Sequence, residues 1–190
     1  MKCSAYIAAS ADGFIARADG GIDWLEAAGK PEAGMGEGYV DFETYLGTVD
    51  CMIMGRRTME KISSFDLPPE AWPYGHIKIV VLSNTVATPP DNLMNKVEMY
   101  SGDLHALLGK LEAEGHQSAY VDGGSTIQAF ITAGLLDEIV ITQMPVLIGE
   151  GKPLFGKTLR DVKLTDSRAV VCPSDYIQIR YRIENNTSSS

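Results

Sequence analysis

The chain has 190 residues, of which 45% are hydrophobic and 22% are charged, the composition of one soluble globular domain with its own core. A net charge of −9, from 16 basic and 25 acidic residues, leaves no basic stripe and argues against nucleic-acid binding. No apolar run approaches the ~18 residues of a membrane span. The three cysteines are far apart and form no CxxC spacing, so we expect reduced thiols in the cytoplasm and no metal.

Hydrophobic periodicity predicts strands that alternate with helices. In chain order, the predicted elements are a strand at 3–9, a long glycine-rich loop at 10–36, a helix at 39–48, a strand at 51–54, a helix from Thr58, a loop at 66–76, strands at 77–82 and 97–100, a helix at 104–111, a strand at 119–121, a helix from Ile127, a strand at 138–144 and two alternating strands at 159–171 and 175–183. Such alternation is typical of a three-layer α/β domain, and the last two strands predict an antiparallel pair. We expect one domain over 1–184 and a disordered tail over 185–190.

Three strand ends place glycine, hydroxyl and basic residues where a phosphate could bind. They are Gly55-Arg56-Arg57-Thr58, Leu82-Ser83-Asn84-Thr85 and Asp122-Gly123-Gly124-Ser125-Thr126. The first and third each open a predicted helix, whose free N–H groups and partial positive charge suit an anion. Glycine lets the backbone approach closely, and adjacent arginines can hold a phosphate by forked hydrogen bonds. The motifs together predict a ligand with two separated phosphate groups, such as a dinucleotide with an extra phosphate.

Each motif also has a simpler interpretation. Gly-Gly before a helix is common turn chemistry, an Arg-Arg pair often forms a solvated face, and Ser83-Asn84 can merely end a strand. The sequence contains no complete GxGxxG fingerprint. The order of the three motifs along the chain is what favours a ligand.

That order resembles the dihydrofolate-reductase-like superfamily over about residues 3–183. The similar segments are Tyr6–Ala16 (first strand and active-site loop), Asp23–Leu25 (loop tryptophan), Met52–Thr58 (IMGRxT segment), Val81–Asn84 (LS segment) and Tyr120–Ser125 (Gly-Gly turn). The stretch from Leu135 to Phe155 is more similar to the reductase domain of bifunctional riboflavin-biosynthesis proteins. The resemblance implies a three-layer α/β/α dihydrofolate-reductase-like fold, with a mostly parallel mixed sheet and a C-terminal antiparallel strand pair.

The resemblance also implies an NADPH site. Ala9 and Ile15 would face the nicotinamide; Gly55, Arg56, Arg57 and Thr58 would meet the phosphates on the adenosine side, with Ser83 at the 2′-phosphate; Gly123, Gly124, Ser125 and Thr126 would cradle the pyrophosphate. In reductases of this fold the Gly-Gly bond is typically cis. We therefore predict a cis Gly123–Gly124 bond, although a cis non-proline bond costs about 3 kcal/mol.

Three residues are candidates for the substrate side. Asp41 is the acid closest in register to the family's pterin-binding carboxylate, but an aspartate at a helix start is also an ordinary dipole partner. Thr142 matches a threonine that lines the family's substrate pocket, and it is equally an ordinary strand residue. Trp24 lies in a long loop, where it could stack on a flat heterocycle or cap the core. No catalytic acid is identified.

The implied function is an NADPH-dependent reductase that transfers hydride to a small heterocyclic substrate, either a ribosylamino-pyrimidine of the riboflavin pathway or a pterin. The zinc deaminase signature that accompanies some riboflavin reductases, H-x-E followed by P-C-x-x-C, is absent. Two alternatives stay open: a non-catalytic nucleotide- or pterin-binding module, and a ligand-free dimeric scaffold. The C-terminal strand pair and the resemblance also predict a homodimer that binds neither nucleic acid nor membrane.

Overall fold

The computed structural model describes residues 1–27, 36–156, 158, 161–172 and 175–185. Its strands are β1 Lys2–Ser10, β2 Phe14–Ala16, β3 Cys51–Gly55, β4 Lys78–Leu82, β5 Glu98–Tyr100, β6 Ser118–Asp122, β7 Glu138–Met144, β8 Lys152–Pro153, β9 Leu164–Val171 and β10 Ile177–Ile183. Its α-helices are α1 Asp23–Ala27, α2 Phe42–Leu46, α3 Arg56–Ser64, α4 Leu104–Ala113 and α5 Gly124–Ala133. Apart from Asn185, the tail predicted to be disordered lies outside the described residues.

Eight of the strands form one sheet in the order β5-β4-β3-β6-β1-β7-β10-β9. The neighbours from β5 to β7 are parallel, while β10 is antiparallel to both β7 and β9. β2 and β8 form a separate two-stranded sheet. The mostly parallel sheet with an antiparallel pair at its end confirms the predicted fold class.

Helices cover both faces of the sheet, because the buried strands are apolar on both sides. On one face, Leu107 and Leu111 of α4 and Phe130 of α5 pack in the same core cluster as Ile53 and Val121. On the other face, helices α2 and α3 contribute Tyr45 and Met59 to a cluster that contains Met52 and Tyr120. One cluster lies between the sheet and the helices on each face, which gives the fold its three layers.

The structure differs from the predicted elements in several places: α2 is shorter than the predicted helix at 39–48, α5 begins at Gly124 rather than Ile127, and β9 begins at Leu164. The predicted loop at 10–36 contains β2 and α1, so Trp24 lies on a short helix. Strand β8 was not predicted, since two residues carry no periodicity and pair only with β2. Helix α3 begins at Arg56 rather than at Thr58, because Gly55 takes an extended conformation and serves as its N-cap.

Among the described residues, no helix is long and apolar enough to cross a membrane. β9 forms a free edge of the sheet, and most of its residues are exposed. An exposed edge strand can pair with another chain, so we expect the predicted homodimer to form at β9. The homodimer and the cytoplasmic location both stay predictions.

Phe130 provides a test of the core. Its side chain is fully buried at 0% exposure, whereas Phe65 after α3 is 41% exposed. Truncating a buried phenylalanine costs about 3–5 kcal/mol, because a cavity remains. Phe130→Ala should therefore lower the free energy of unfolding in urea by that amount, and the control Phe65→Ala by much less. Equal losses would contradict the packing described here.

Candidate cofactor and substrate site

The sheet opens between β1 and β6 at its carboxyl end. The parallel pairing of these strands runs from Lys2 opposite Ser118 to Ser4 opposite Tyr120. Beyond that point β1 stays paired with β7 as far as Ser10, and β6 stays paired with β3 as far as Asp122. In open α/β sheets, ligands bind in crevices outside the carboxyl ends of the strands. This opening is therefore the natural place for a ligand.

Ala8 directs its backbone into the opening. The Asp137 N–H donates to the Cys3 carbonyl at 2.8 Å, on the β7 side of β1. Successive residues of a strand direct their peptide groups to opposite edges, so Ala9 also faces β7 whereas Ala8 faces β6. The Ala9 side chain is buried in the core cluster beside α5. Ala8 thus directs its backbone toward the opening, and the nicotinamide contact predicted for Ala9 stays a prediction.

The N-termini of α3 and α5 interlock beside the opening. A Cβ at Gly55, the N-cap of α3, would stand only 2.8 Å from Thr126 Oγ1 in the first turn of α5. A Cβ at Gly123, the N-cap of α5, would overlap Thr58 Oγ1 in the first turn of α3. Each glycine thus makes room for a threonine of the other helix. The two predicted phosphate motifs are brought together by this reciprocal packing.

Both of these helices begin without a side-chain cap. Gly55 and Gly123 offer no side-chain hydrogen bond, and neither helix has an acid in its first turn. By contrast, Asp41 caps α2 and Asp103 caps α4, each accepting a backbone N–H of its own helix. The free N–H groups and partial positive charge of α3 and α5 remain available to an anion. Ser125, exposed in the first turn of α5, adds a hydroxyl at the same place.

The predicted cis bond at Gly123–Gly124 is wrong: the described residues contain no cis peptide bond. The chain turns instead through Gly123, whose φ is +92°. Only glycine takes this φ without strain, and a side chain here would also overlap Thr58. The sharp entry into α5 therefore comes from a backbone dihedral angle rather than from the peptide bond.

The basic and hydroxyl residues of the predicted phosphate motifs differ in the ion pairs and hydrogen bonds that they form within the chain. Arg56 forms an ion pair with Glu60, with Nη1 2.5 Å from Oε1. Arg57 is exposed, and within the described part of the chain no ion pair engages it. Ser83 follows β4, next to β3, and its Oγ accepts the Val86 N–H at 2.8 Å. Arg57 is therefore the guanidinium most available to a phosphate.

Ile15 is held against the start of α5. The Asp12 carboxylate accepts the Gly149 N–H at 2.7 Å, which ties the turn after β1 to the loop after β7. Pairing of β2 with β8 then fixes the strand that carries Ile15. A Cβ at Gly124 would lie 2.7 Å from Ile15 Cδ1. Ile15 therefore packs against the start of α5, and its contact with a nicotinamide stays a prediction.

An aromatic cluster lies on the α2–α3 face of the sheet. Tyr6 and Tyr45 have ring centroids 4.9 Å apart, and Tyr45 contacts Tyr120 edge-on at 5.2 Å. Phe42 and Tyr74 extend the cluster with a centroid distance of 6.1 Å. The Tyr120 hydroxyl donates to the Tyr6 carbonyl at 3.1 Å and so bridges β6 and β1 where their pairing ends.

Asp122 is a titratable residue of this site to which the sequence analysis gave no role. It ends β6, and its Oδ1 accepts the Gly123 N–H at 2.8 Å. Burial raises the pKa of Asp122 to about 6, against the opposing effect of that hydrogen bond. Burial and the charge of Asp122 together raise the pKa of Tyr74 and of Tyr120, which places the carboxyl beside the aromatic cluster. The sequence showed an acid at the end of a buried strand, but it did not show the surroundings that raise the pKa of this acid.

Thr142 and Asp41 lie near the same face of the sheet as the aromatic cluster. Thr142 lies beside Ala8, and Asp41 follows Val40 in the chain. Thr142 pairs with Ala8 across β1 and β7, and the Gln178 side-chain amide donates to its Oγ1 at 3.3 Å. The same amide donates to the Val40 carbonyl at 2.9 Å, next to Asp41. Asp41 itself is exposed, and both of its oxygens accept hydrogen bonds from Thr44. Those bonds identify Asp41 as a helix cap, and its substrate role stays a prediction.

Trp24 packs in a buried cluster beside Ala8. It lies in a cluster with Met144, Cys172 and Tyr176, against which Ala8 also packs. The side chain is only 4% exposed, yet its Nε1 has no hydrogen-bond partner within the described part of the chain. A buried donor without an acceptor costs free energy, and the role predicted for Trp24 on the substrate side stays a prediction.

Comparison with known proteins agrees with this geometry. The protein YwjB of Bacillus subtilis (strain 168), named as uncharacterized, is 32% identical over 165 residues, which cover 86% of this chain and 87% of YwjB. A solved structure from Shewanella sp. PV-4, named "Putative riboflavin biosynthesis protein", is 35% identical with a TM-score of 0.84, over 97% of this chain and 99% of that one. Dihydrofolate reductase from Enterococcus faecalis, solved with NADP(H), shares the fold at 15% identity and a TM-score of 0.59, over 96% of both chains.

The model of one protein family, the RibD C-terminal domain, matches residues 2–178. This match spans both helical layers and all of the sheet except most of β10, and it confirms the resemblance inferred from the sequence motifs. Together with the identity to YwjB over most of both chains, it shows that the chain belongs to the RibD C-terminal domain family.

Proposed function

We propose that the chain is an NADPH-dependent reductase that delivers hydride to a C=N or C=O group of a small heterocycle. The observation that carries the proposal is the opening between β1 and β6, flanked by two interlocked and uncapped helix N-termini. A crevice of this kind at the carboxyl ends of parallel strands suits a nucleotide whose phosphates lie on the helices.

The residues present fit the cofactor. Both N-terminal turns lack acids, and each carries a threonine that packs against the glycine at the start of the other helix. In this proposal the pyrophosphate binds at Gly123, Gly124, Ser125 and Thr126; the 2′-phosphate side binds at Gly55, Arg56, Arg57, Thr58 and Ser83; the nicotinamide end meets Ala8 and Ile15. NADPH, when bound, supplies the hydride.

The chain's own residues would hold the substrate and its proton. The aromatic cluster offers flat apolar surface for a heterocycle. Asp122 lies where the opening meets that cluster. A carboxyl with a pKa of about 6 keeps an appreciable protonated fraction near neutral pH, so Asp122 can donate a proton to a ring nitrogen.

The relatives narrow the substrate class. The name of the Shewanella protein refers to riboflavin biosynthesis, and the family is named for RibD. We therefore favour a ribosylamino-pyrimidine of that pathway over a pterin. Asp41, the residue expected in place of the pterin-binding acid, caps a helix, which also favours the pyrimidine.

Cofactor binding is tested by thermal unfolding with NADPH and NADH, which differ only in the 2′-phosphate. A ligand at ~100 times its Kd stabilises the folded chain by about 2.7 kcal/mol. We expect NADPH to raise the Tm more than NADH does. Arg57→Ala should reduce the NADPH shift and leave the NADH shift unchanged, because it removes a cation available to the extra phosphate.

Arg168→Ala is the matched control, since it removes an exposed arginine from the distant strand β9. It should leave both shifts intact. Equal shifts with both nucleotides, or no shift with either, would contradict an NADPH site. A normal NADPH shift without NADPH oxidation in the presence of pyrimidine or pterin substrates would favour the non-catalytic binding module.

Asp122 makes stability depend on pH in a direction that can be measured. Its pKa is about 6 in the folded chain against an ordinary value of 3.8, so the folded state holds the proton more tightly. Its stabilising contribution is fully present below pH 3.8 and is lost as the pH rises through about 6. Asp122→Asn cannot titrate, and it should remove this decline when urea unfolding is followed across the same pH window.

Asp41→Asn is a control of opposite sign. Hydrogen bonds from the Thr44 N–H and hydroxyl lower the pKa of Asp41 below 3.8, so its carboxylate stabilises the fold above that pH and loses its contribution as the pH falls. If wild type and Asp122→Asn had the same pH profile of stability, Asp122 would not be the buried proton-holding carboxyl proposed here.

A further inference from the structure

Three metal-ligating side chains meet at the amino end of the sheet, opposite the opening. They are Asp50, Cys51 and His116. Cys51 begins strand β3, Asp50 directly precedes it, and His116 lies just before the adjacent parallel strand β6. Cys51 pairs with Ala119 in the sheet register, so the two strand starts lie side by side. Residues far apart in sequence are brought together because parallel strands begin at the same edge.

The backbone holds these three residues in place. Their ligand atoms all lie within 4.8 Å of one another, and His116 Nδ1 is 3.5 Å from Asp50 Oδ1. The Asp50 N–H donates to the Ser118 carbonyl at 3.0 Å, and the Gln117 N–H donates to Asp50 Oδ2 at 2.8 Å. These bonds link the segment of Asp50 to that of His116, so the arrangement is built into the sheet.

We propose that Asp50, Cys51 and His116 bind a divalent transition-metal ion of the zinc type. Zinc takes sulfur, imidazole nitrogen and carboxylate oxygen at about 2.0–2.3 Å, commonly with three protein ligands and one water. Ligand atoms at those lengths in a tetrahedron are about 3.3–3.8 Å apart, so small side-chain movements suffice. A thiol and an imidazole do not suit Mg²⁺ or Ca²⁺.

Access to the site is from one side. Cys51 is fully buried and forms the inner wall, whereas the side chains of His116 and Asp50 are 21% and 42% exposed. An ion enters past the two exposed side chains, and a water molecule completes its coordination. The Cys51 thiol gives up its proton to solvent when the metal binds. The bound ion joins the starts of β3 and β6 and therefore stabilises the sheet, independently of the proposed reductase site.

Cobalt titration of the chelator-treated full chain tests the site, because Co²⁺ bound to a thiolate shows a charge-transfer absorption band. We expect one Co²⁺ per chain, with a band that Zn²⁺ removes by competition. Cys51→Ala should abolish the band. His116→Asn should weaken Zn²⁺ binding by at least the ~10–100-fold that follows loss of a mere ligand-supporting residue.

The chain offers matched controls for both substitutions. Cys172→Ala removes another buried thiol, and His105→Asn removes an exposed histidine of α4, so both should bind as wild type. Circular dichroism shows whether each variant folds, and a Zn²⁺-induced rise in Tm of the wild type that His116→Asn lacks gives a second readout. No band in the wild type, or a band that survives Cys51→Ala or is lost in Cys172→Ala, would overturn the proposal.

Discussion

The break in pairing between β1 and β6 is the constraint on which the rest of the site depends. A continuous sheet would satisfy the inner edges of both strands along their whole length. Here the pairing ends at Ser4 and Tyr120, and the Tyr120 hydroxyl bridges to the Tyr6 carbonyl where the strands part. Ala8 beyond the bridge faces the gap. A gap lined by backbone can recognise the amide of a ligand, which no closed pair of strands can do.

Helices α3 and α5 follow β3 and β6, on one side of the gap, and their N-termini pack against each other. Each begins at a glycine, and each glycine accommodates a threonine from the other helix. A capping aspartate would have stabilised either helix by about 1 kcal/mol, as Asp41 and Asp103 do elsewhere in the chain. Its charge would also have repelled a phosphate. The uncapped starts are therefore a local cost in stability that leaves two helix N-termini without a side-chain cap next to each other.

The sequence predicted the parts of this arrangement that depend on local pattern. Strand ends followed by Gly55 and Gly123 were visible as motifs, and the alternation of strands and helices predicted the three layers. The features it missed depend on tertiary packing. The pairing of β1 with β7 determines that Ala8, rather than Ala9, directs its backbone toward the gap, and the turn into α5 is made by the positive φ of Gly123 rather than by a cis bond.

Asp122 and His116 illustrate the same limit. In the sequence, Asp122 was only the first residue of a glycine-rich motif, because only in the folded chain does loss of solvent around its carboxyl raise its pKa. His116 had no neighbouring ligand in sequence, since Asp50 and Cys51 reach it through the parallel pairing of β3 and β6. Motif spacing detects sites within one segment, whereas both of these sites are assembled between segments.

In the proposed function, the gap between β1 and β6 receives the nicotinamide end of NADPH. A crystal structure of the chain with NADP⁺ tests it most directly. We expect the nicotinamide beside the Ala8 backbone and Ile15, with the pyrophosphate on the first turn of α5. A nucleotide bound away from the gap, or a gap that stays empty while the phosphates bind elsewhere, would contradict it.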